Sequence, residues 1–193
     1  MPMGDMTQRK GRSGRMKNPR KGRSKLIFVL GGAASGKSQA ALELAGQEGP
    51  KAFVATGEAL DGEMAARIHR HRTTRPSDWM TAEIPSDIAE WLSKNKSYYH
   101  TIVLDCLTLW LSNLQGRGFS ESAITNATEE LLHAVRATRA RVVIVSNELG
   151  LGLVPATKAV RAFRDLAGRV NQQVAAEADE VYLAISGLSL RLK

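Results

Sequence analysis

The 193-residue sequence carries one cysteine, Cys106. No internal disulfide framework is therefore possible, and a reducing cytoplasm is the expected compartment. No apolar run approaches the roughly 18 residues that a membrane span requires, and the first residues lack the apolar segment of a secretory signal. Aromatics make up 5% of the chain and are not interleaved with cations. Acidic residues are scarce at one end only: residues 1–25 hold nine Lys/Arg and a single acid, Asp5, leaving 18 bases and 18 acids in the rest. The whole formal charge of +8 thus sits in the leading segment. Arg9, Lys10, Arg12, Arg15, Lys17, Arg20, Lys21 and Arg23, set among Gly, Ser and Pro, offer too little apolar surface to fold. A solvated, disordered basic tail over residues 1–24 is expected, with nonspecific affinity for nucleic acid as its lesser reading. The neutral body argues against a nucleic-acid partner. Residues 25–193 suffice for one domain with a sizeable core, and no internal repeat interrupts them.

What is present begins with Gly31, Gly32, Ala33, Ala34, Ser35, Gly36, Lys37 and Ser38, which fit the phosphate-binding pattern G-x-x-x-x-G-K-[ST]. The five apolar residues 26–30 precede it and suit a strand buried on both faces. Good helix formers, residues 39–45, follow it. Glycines let the backbone approach a polyphosphate without a Cβ in the way. Successive N–H groups then form an anion nest at the positive end of a helix. Lys37 is a compact charge for the outer phosphates and the Ser38 hydroxyl suits Mg²⁺.

The rest of the body alternates strands and helices, which predicts a parallel sheet covered on both sides. Strands are expected at 51–56, 80–84, 101–105 and 141–146. Helices are expected from Asp61 to before Pro76, and at 85–94, from Leu107, at 120–139 and at 157–178. Residues 180–186 and 188–192 close as a hairpin. The expected fold is α/β, a P-loop (RecA-like) mostly parallel sheet flanked by helices with a C-terminal antiparallel hairpin. Asp105 ends a strand, where a carboxylate near a phosphate loop contacts the metal; its alternative is a cap for the helix from Leu107. Cys106 and Thr108 read as packing. His133 and His100 read as a surface and a loop histidine. The polar, glycine-rich residues 147–155 follow a strand at the edge where open α/β sheets bind ligands. His71 falls with Met64 and Ile68 on one helix face, a spacing that by itself favours a packed histidine. These residues alone leave open a single-activity small-molecule kinase, a nucleotide switch, or a nucleic-acid-binding ATPase.

The string from the phosphate loop through Ala55-Thr56, Asp61, His71, Arg75-Pro76, Trp79, Leu104-Asp105-Cys106-Leu107-Thr108, Asn113, Ser146-Asn147-Glu148, Val154-Pro155 and Phe163-Arg164-Asp165 to Gly168-Arg169-Val170-Asn171-Gln172 says more. Over residues 26–193 the chain resembles the bifunctional adenosylcobinamide kinase / adenosylcobinamide-phosphate guanylyltransferase family. The resemblance implies phosphorylation of adenosylcobinamide by ATP or GTP with Mg²⁺, then transfer of GMP from GTP through an enzyme histidine to adenosylcobinamide phosphate. It implies that His71 is that nucleophile; Lys37 of the phosphate loop is read as the other catalytic residue. It places nucleotide contacts at Gly31 through Ser38, Ala55, Thr56, Gly57, Arg72, Thr73, Thr74, Arg75, Glu83 and Asp105, and metal contacts at Ser38 and Asp105. A homotrimer is also implied. A neutral imidazole, with an unperturbed pKa of about 6.5, is available for attack at pH 7. Arg67, Arg70, Arg72 and Arg75 supply cations around it. Ala34 stands where the family commonly carries an arginine.

Overall fold

The computed structural model describes residues 24–59, 61–62, 65–66, 68 and 77–193. The expected basic tail, save Ser24, lies outside the described residues. So do Met64, Arg67, His69, Arg70, His71, Arg72, Thr73, Thr74, Arg75 and Pro76 of the segment after Asp61. Within that segment Gly62, Ala65, Ala66 and Ile68 are helical, and Ala65 N donates to Asp61 O at 2.9 Å.

The strands are β1 (Lys25–Gly31), β2 (Lys51–Ala55), β3 (Trp79–Glu83), β4 (Thr101–Asp105), β5 (Arg141–Asn147), β6 (Glu180–Ile185) and β7 (Leu188–Arg191). They form one sheet in the order β3-β2-β4-β5-β1-β6-β7. Every neighbouring pair is parallel except β6–β7. The helices are α1 (Lys37–Ala45), α2 (Ile88–Asn95), α3 (Leu107–Gly116), α4 (Glu121–Ala137) and α5 (Lys158–Glu177).

The apolar strand runs work because both sheet faces are covered. In β1, Leu26 and Phe28 point to one face and Ile27 and Val29 to the other, and none is more than 1% exposed. Leu26 and Phe28 join Val54, Leu104 and Ile144 beneath α2, α3, α4 and α5. Ile27 and Val29 join Phe53, Val103, Val143 and Val145 beneath α1, which buries Ala40, Ala41 and Ala45 there and packs Leu42 and Leu44 at the margin. The small alanines bring α1 close to the strands and fix the loop that starts it. The side of α4 expected to be buried, Ile124, Leu131, Leu132 and Val135, is buried. Ser120 and Thr157 cap α4 and α5, accepting from Ala123 N and Val160 N. His133 is exposed on α4, as expected.

One expected boundary is wrong. The helix read from Pro85 starts at Ile88, after Asp87. The carbonyls of Pro85 and Ser86 are taken instead by α3: Asn113 Nδ2 donates to Pro85 O at 3.0 Å and Trp110 Nε1 to Ser86 O at 2.7 Å. A tertiary partner thus outcompetes the helix's own first turn.

β5 stands between β1 and β4, so the carboxyl ends of these three strands lie side by side. The expected hairpin is present. Ser186 (φ 52) and Gly187 (φ 81) join β6 to β7, a two-residue turn with positive φ at both positions.

Candidate functional site

The loop between β1 and α1 is built as an anion receptor. Gly36 has φ 94 and Ala34 φ 54, so the backbone folds over with its amides on the inside. Among the described residues, the N–H groups of Ala33, Ala34, Ser35 and Gly36 find no protein acceptor. With the first amides of α1 they face the positive end of the helix dipole. The Lys37 ammonium donates to the carbonyl of Gly32 across the mouth of the loop. Ser35 is 7% exposed and its hydroxyl is buried without a hydrogen-bond partner, a polar group held ready at the loop's base.

The loop is held by residues far away in the chain. Gly187 N, in the β6–β7 turn, donates to Ser35 O at 3.0 Å. A Cβ on Gly36 would stand 3.0 Å from Gly187 Cα, and one on Gly31 would stand 2.4 Å from Ala184 O. Both glycines are therefore required by close backbone approach, a constraint that the sequence motif does not reveal.

Asp105 ends β4 and its Oδ2 accepts the Ser38 hydroxyl at 2.6 Å. α3 has Cys106 at its N-cap with no side-chain cap bond, so Asp105 faces the phosphate loop rather than capping that helix. A hydroxyl and a carboxylate so placed form the oxygen pair that a small hard cation uses when phosphates and water complete its shell. No cluster of three His, Cys, Asp or Glu that could hold a metal ion occurs among the described residues.

Thr56 is completely buried. Its hydroxyl donates to Cys106 O at 2.7 Å and accepts from Cys106 N at 2.8 Å. Asn113 Nδ2 donates to Thr56 O at 2.7 Å. This clasp registers the ends of β2 and β4 and sets Asp105. Cys106 is 6% exposed, and burial, aided by the negative Asp105, pushes its thiol up to about 12. Such a thiol is packing, not a nucleophile. Ala55 is buried beside Glu83 of β3, and Glu83 is exposed at that strand's end. Gly57 is half-buried; a Cβ on it would lie 3.3 Å from Ile68 Cδ1. The helical segment after Asp61 therefore packs onto the end of β2.

A second buried network fixes the end of β5. Ser146 Oγ donates to Asn171 Oδ1 at 2.8 Å, Asn171 Nδ2 to Asn147 O at 3.1 Å, and Asn147 N to Thr108 Oγ1 at 2.8 Å. Glu148 follows directly, its N donating to Gly31 O at 3.0 Å. The structure thus brings together the phosphate loop, Ala55, Thr56, Gly57, Glu83 and Asp105 along one sheet edge. His71, Arg72, Thr73, Thr74 and Arg75 lie outside the described residues. Sequence reading named Asn113, Ser146 and Asn171 only within the family string and gave none of them, nor Gly187, a supporting role; the three polar side chains stand at otherwise apolar positions, and their partners lie tens of residues away.

Residues 27–192 match the family described as cobinamide kinase / cobinamide phosphate guanyltransferase. The bifunctional adenosylcobalamin biosynthesis proteins CobU of Escherichia coli (strain K12) and CobU of Salmonella typhimurium are each 39% identical over 180 residues, covering 87% of this chain and 99% of theirs. The corresponding CobP of Pseudomonas aeruginosa is 39% identical over 167 residues, covering 86% of this chain and 96% of its own. No helix among the described residues is long and apolar enough to cross a membrane. A seven-stranded, mostly parallel sheet with a phosphate loop after its fifth strand in spatial order, in a chain matched over residues 27–192 by the family and over most of its length by these relatives, makes this chain a member of the cobinamide kinase / cobinamide phosphate guanyltransferase family.

Proposed function

We propose that this chain phosphorylates the aminopropanol hydroxyl of adenosylcobinamide with ATP or GTP, and then guanylylates the phosphate so formed. The observation that carries the reading is the amide-lined loop with Ser38 Oγ set 2.6 Å from Asp105 Oδ2, in a chain matching this family over residues 27–192. The loop amides and Lys37 bind the triphosphate, and their positive field favours charge moving outward onto the leaving phosphate. Ser38 and Asp105 are the residues that would hold Mg²⁺. When bound, that ion neutralises phosphate charge. Thr56 acts through Asp105, which it positions by clasping Cys106.

In the second reaction an imidazole nitrogen of His71 attacks the α-phosphorus of GTP. A P–N bond forms, the bond to the bridging oxygen breaks, and pyrophosphate departs. A phosphate oxygen of adenosylcobinamide phosphate then takes the GMP and frees the imidazole. Supporting this, Ile68, three residues before His71, packs against Gly57 at the end of β2. Arg72, Thr73, Thr74, Arg75, Glu83, Ala55 and Gly57 are proposed as nucleotide contacts, and the enzyme as a cytoplasmic homotrimer. Incubation with α-labelled GTP should leave an acid-labile label on the protein that is lost in His71→Ala. Undiminished label in that variant moves the nucleophile elsewhere.

A further inference from the structure

Beside the phosphate loop, on the sheet face covered by α5, lies a cleft of about 670 Å³ lined by Leu30, Glu148, Gly150, Arg164, Gly168 and Gln172, among others. None of these residues belongs to the nucleotide machinery described above. Three features of its lining bear on what it could hold. Gly168 sits in the interior of α5, where glycine weakens a helix relative to alanine. Apart from its chain neighbours and its own helix backbone, no described atom lies within 4 Å of where its Cβ would be, so close packing does not account for the glycine, which lines the cleft. The Arg164 side chain is 22% exposed yet, among the described residues, bonds only to Asp165, its chain neighbour, at 3.4 Å. A guanidinium so far withdrawn from water has most of its five donors to offer. At the other end Glu148 is half-buried and tied to the first glycine of the phosphate loop, its N donating to Gly31 O at 3.0 Å.

We infer that this cleft is the acceptor site: it takes the amide-bearing rim of the corrinoid, with the hydroxyl end directed at Glu148. The inference rests on the function proposed above. A corrinoid presents primary amides, each both donor and acceptor. Arg164 donates to their carbonyls, and Gln172 answers both halves of an amide. The macrocycle is too large to be enclosed, and the chain after Gly150 supplies apolar surface at the rim, with Leu151 78% and Leu153 96% exposed. In the phosphorylation, the Glu148 carboxylate accepts the proton from the acceptor hydroxyl. The freed oxygen bonds to the γ-phosphorus, and the bond to the bridging oxygen breaks to release the nucleoside diphosphate. Glu148 Oε1 now accepts from Gly150 N at 2.7 Å, which aims the carboxylate along the cleft and leaves its second oxygen for the substrate.

The test is equilibrium dialysis of adenosylcobinamide against the full chain, followed by corrin absorbance, alongside binding of a fluorescent GTP analogue. Gly168→Leu fills the cleft at a site where a side chain favours the helix, so it should raise the melting temperature while weakening adenosylcobinamide at least tenfold. Gln172→Ala, on an exposed residue, should weaken it severalfold, and neither should shift the GTP analogue's Kd. Glu148→Gln should lower kcat for phosphorylation by about a hundredfold with little change in the corrinoid KM. Unaltered corrinoid affinity in Gly168→Leu, or an equal loss of GTP analogue, overturns the assignment of the cleft. An unaltered kcat in Glu148→Gln overturns the assignment of the proton acceptor. If the wild type makes phosphorylated corrinoid while Gly168→Leu binds it normally, only this inference fails. If the wild type binds no corrinoid at all, the proposed function fails with it.

Discussion

Thr56→Val separates the positioning of Asp105 from its chemistry. Valine keeps the shape of threonine and loses the hydroxyl that donates to Cys106 O at 2.7 Å and accepts from Cys106 N at 2.8 Å. The two losses are unequal. Cys106 O retains the Trp110 N–H at 3.2 Å, so its cost is small. Among the described residues Cys106 N–H has no other partner; it sits beside a fully buried residue, and a buried donor left unsatisfied costs about 1–3 kcal/mol. With the lost hydrogen bond to the carbonyl, the total is about 2–4 kcal/mol. For a chain of this length, that lowers Tm by roughly 5–15 °C. Thr56→Ser is the control: it keeps both bonds and removes one methyl, a loss of about 1 kcal/mol. Guanidinium unfolding followed by circular dichroism should therefore place Val clearly below Ser. Because Asp105 precedes Cys106, Val should also need more Mg²⁺ for nucleotide binding, and Ser should not. If the valine variant is as stable as the serine variant, the clasp is not what registers the two strands.

Other perturbations follow from the same geometry. Gly36→Ala must hold an L-residue at φ 94 with its Cβ 3.0 Å from Gly187 Cα; the left-handed conformation alone costs about 1–2 kcal/mol, so Tm should fall and GTP binding weaken together. Lys37→Ala removes a charged donor worth about 1.5–3 kcal/mol, and calorimetric titration should show GTP binding weakened about tenfold to a hundredfold. The Cys106 thiol, raised from 9.0 to about 12 by burial and then Asp105, should not react with a chromogenic disulfide at pH 8 until the protein is unfolded. The same shift sets a sign. The unfolded thiol ionises above about pH 9 while the folded one stays neutral, so its contribution to stability is complete below about 9 and is lost as pH rises toward 12. Cys106→Ala should flatten that part of the stability–pH curve.

The strands were legible because a sheet covered on both faces writes each one as a short unbroken apolar run, as in residues 26–30 and 101–104. The phosphate loop was legible because its backbone demands glycine at fixed spacing. Asp105 could be read as a metal contact or a helix cap, and only the 2.6 Å bond from Ser38 decides where the carboxylate points. What stayed hidden depends on partners distant in the chain. The start of α2 was misplaced because Trp110 and Asn113 claim the carbonyls of Ser86 and Pro85. Nothing near Thr56 announces a partner fifty residues on, and nothing near Gly187 announces that its amide supports Ser35. Strand order is illegible for the same reason: the insertion of β5 between β1 and β4 leaves no local trace.

That insertion organises the chemistry. With β5 in the middle, the phosphate loop after β1 and Asp105 after β4 flank the segment beginning at Ser146, and buried polar groups anchor both that segment and the end of β4. Thr56 and Asn113 hold one side; Thr108, Ser146 and Asn171 hold the other. Polar side chains this deep are costly unless their bonds are complete, and here they gather at the carboxyl ends of the strands. Elsewhere the same strands are filled with valine, leucine and isoleucine. Two stability regimes thus share one sheet: an apolar body that tolerates conservative exchange, and a hydrogen-bonded rim that does not. The distinction matters for a fold that has to handle a triphosphate and a bulky acceptor in turn. Loops such as residues 149–155, with Leu151 and Leu153 exposed, are free to adapt to the acceptor only because the strand ends beneath them are fixed. Isosteric changes at Thr56 or Ser146 should therefore harm catalysis more than truncations of Leu151 or Leu153 harm folding, a ranking opposite to the one that apolar content predicts.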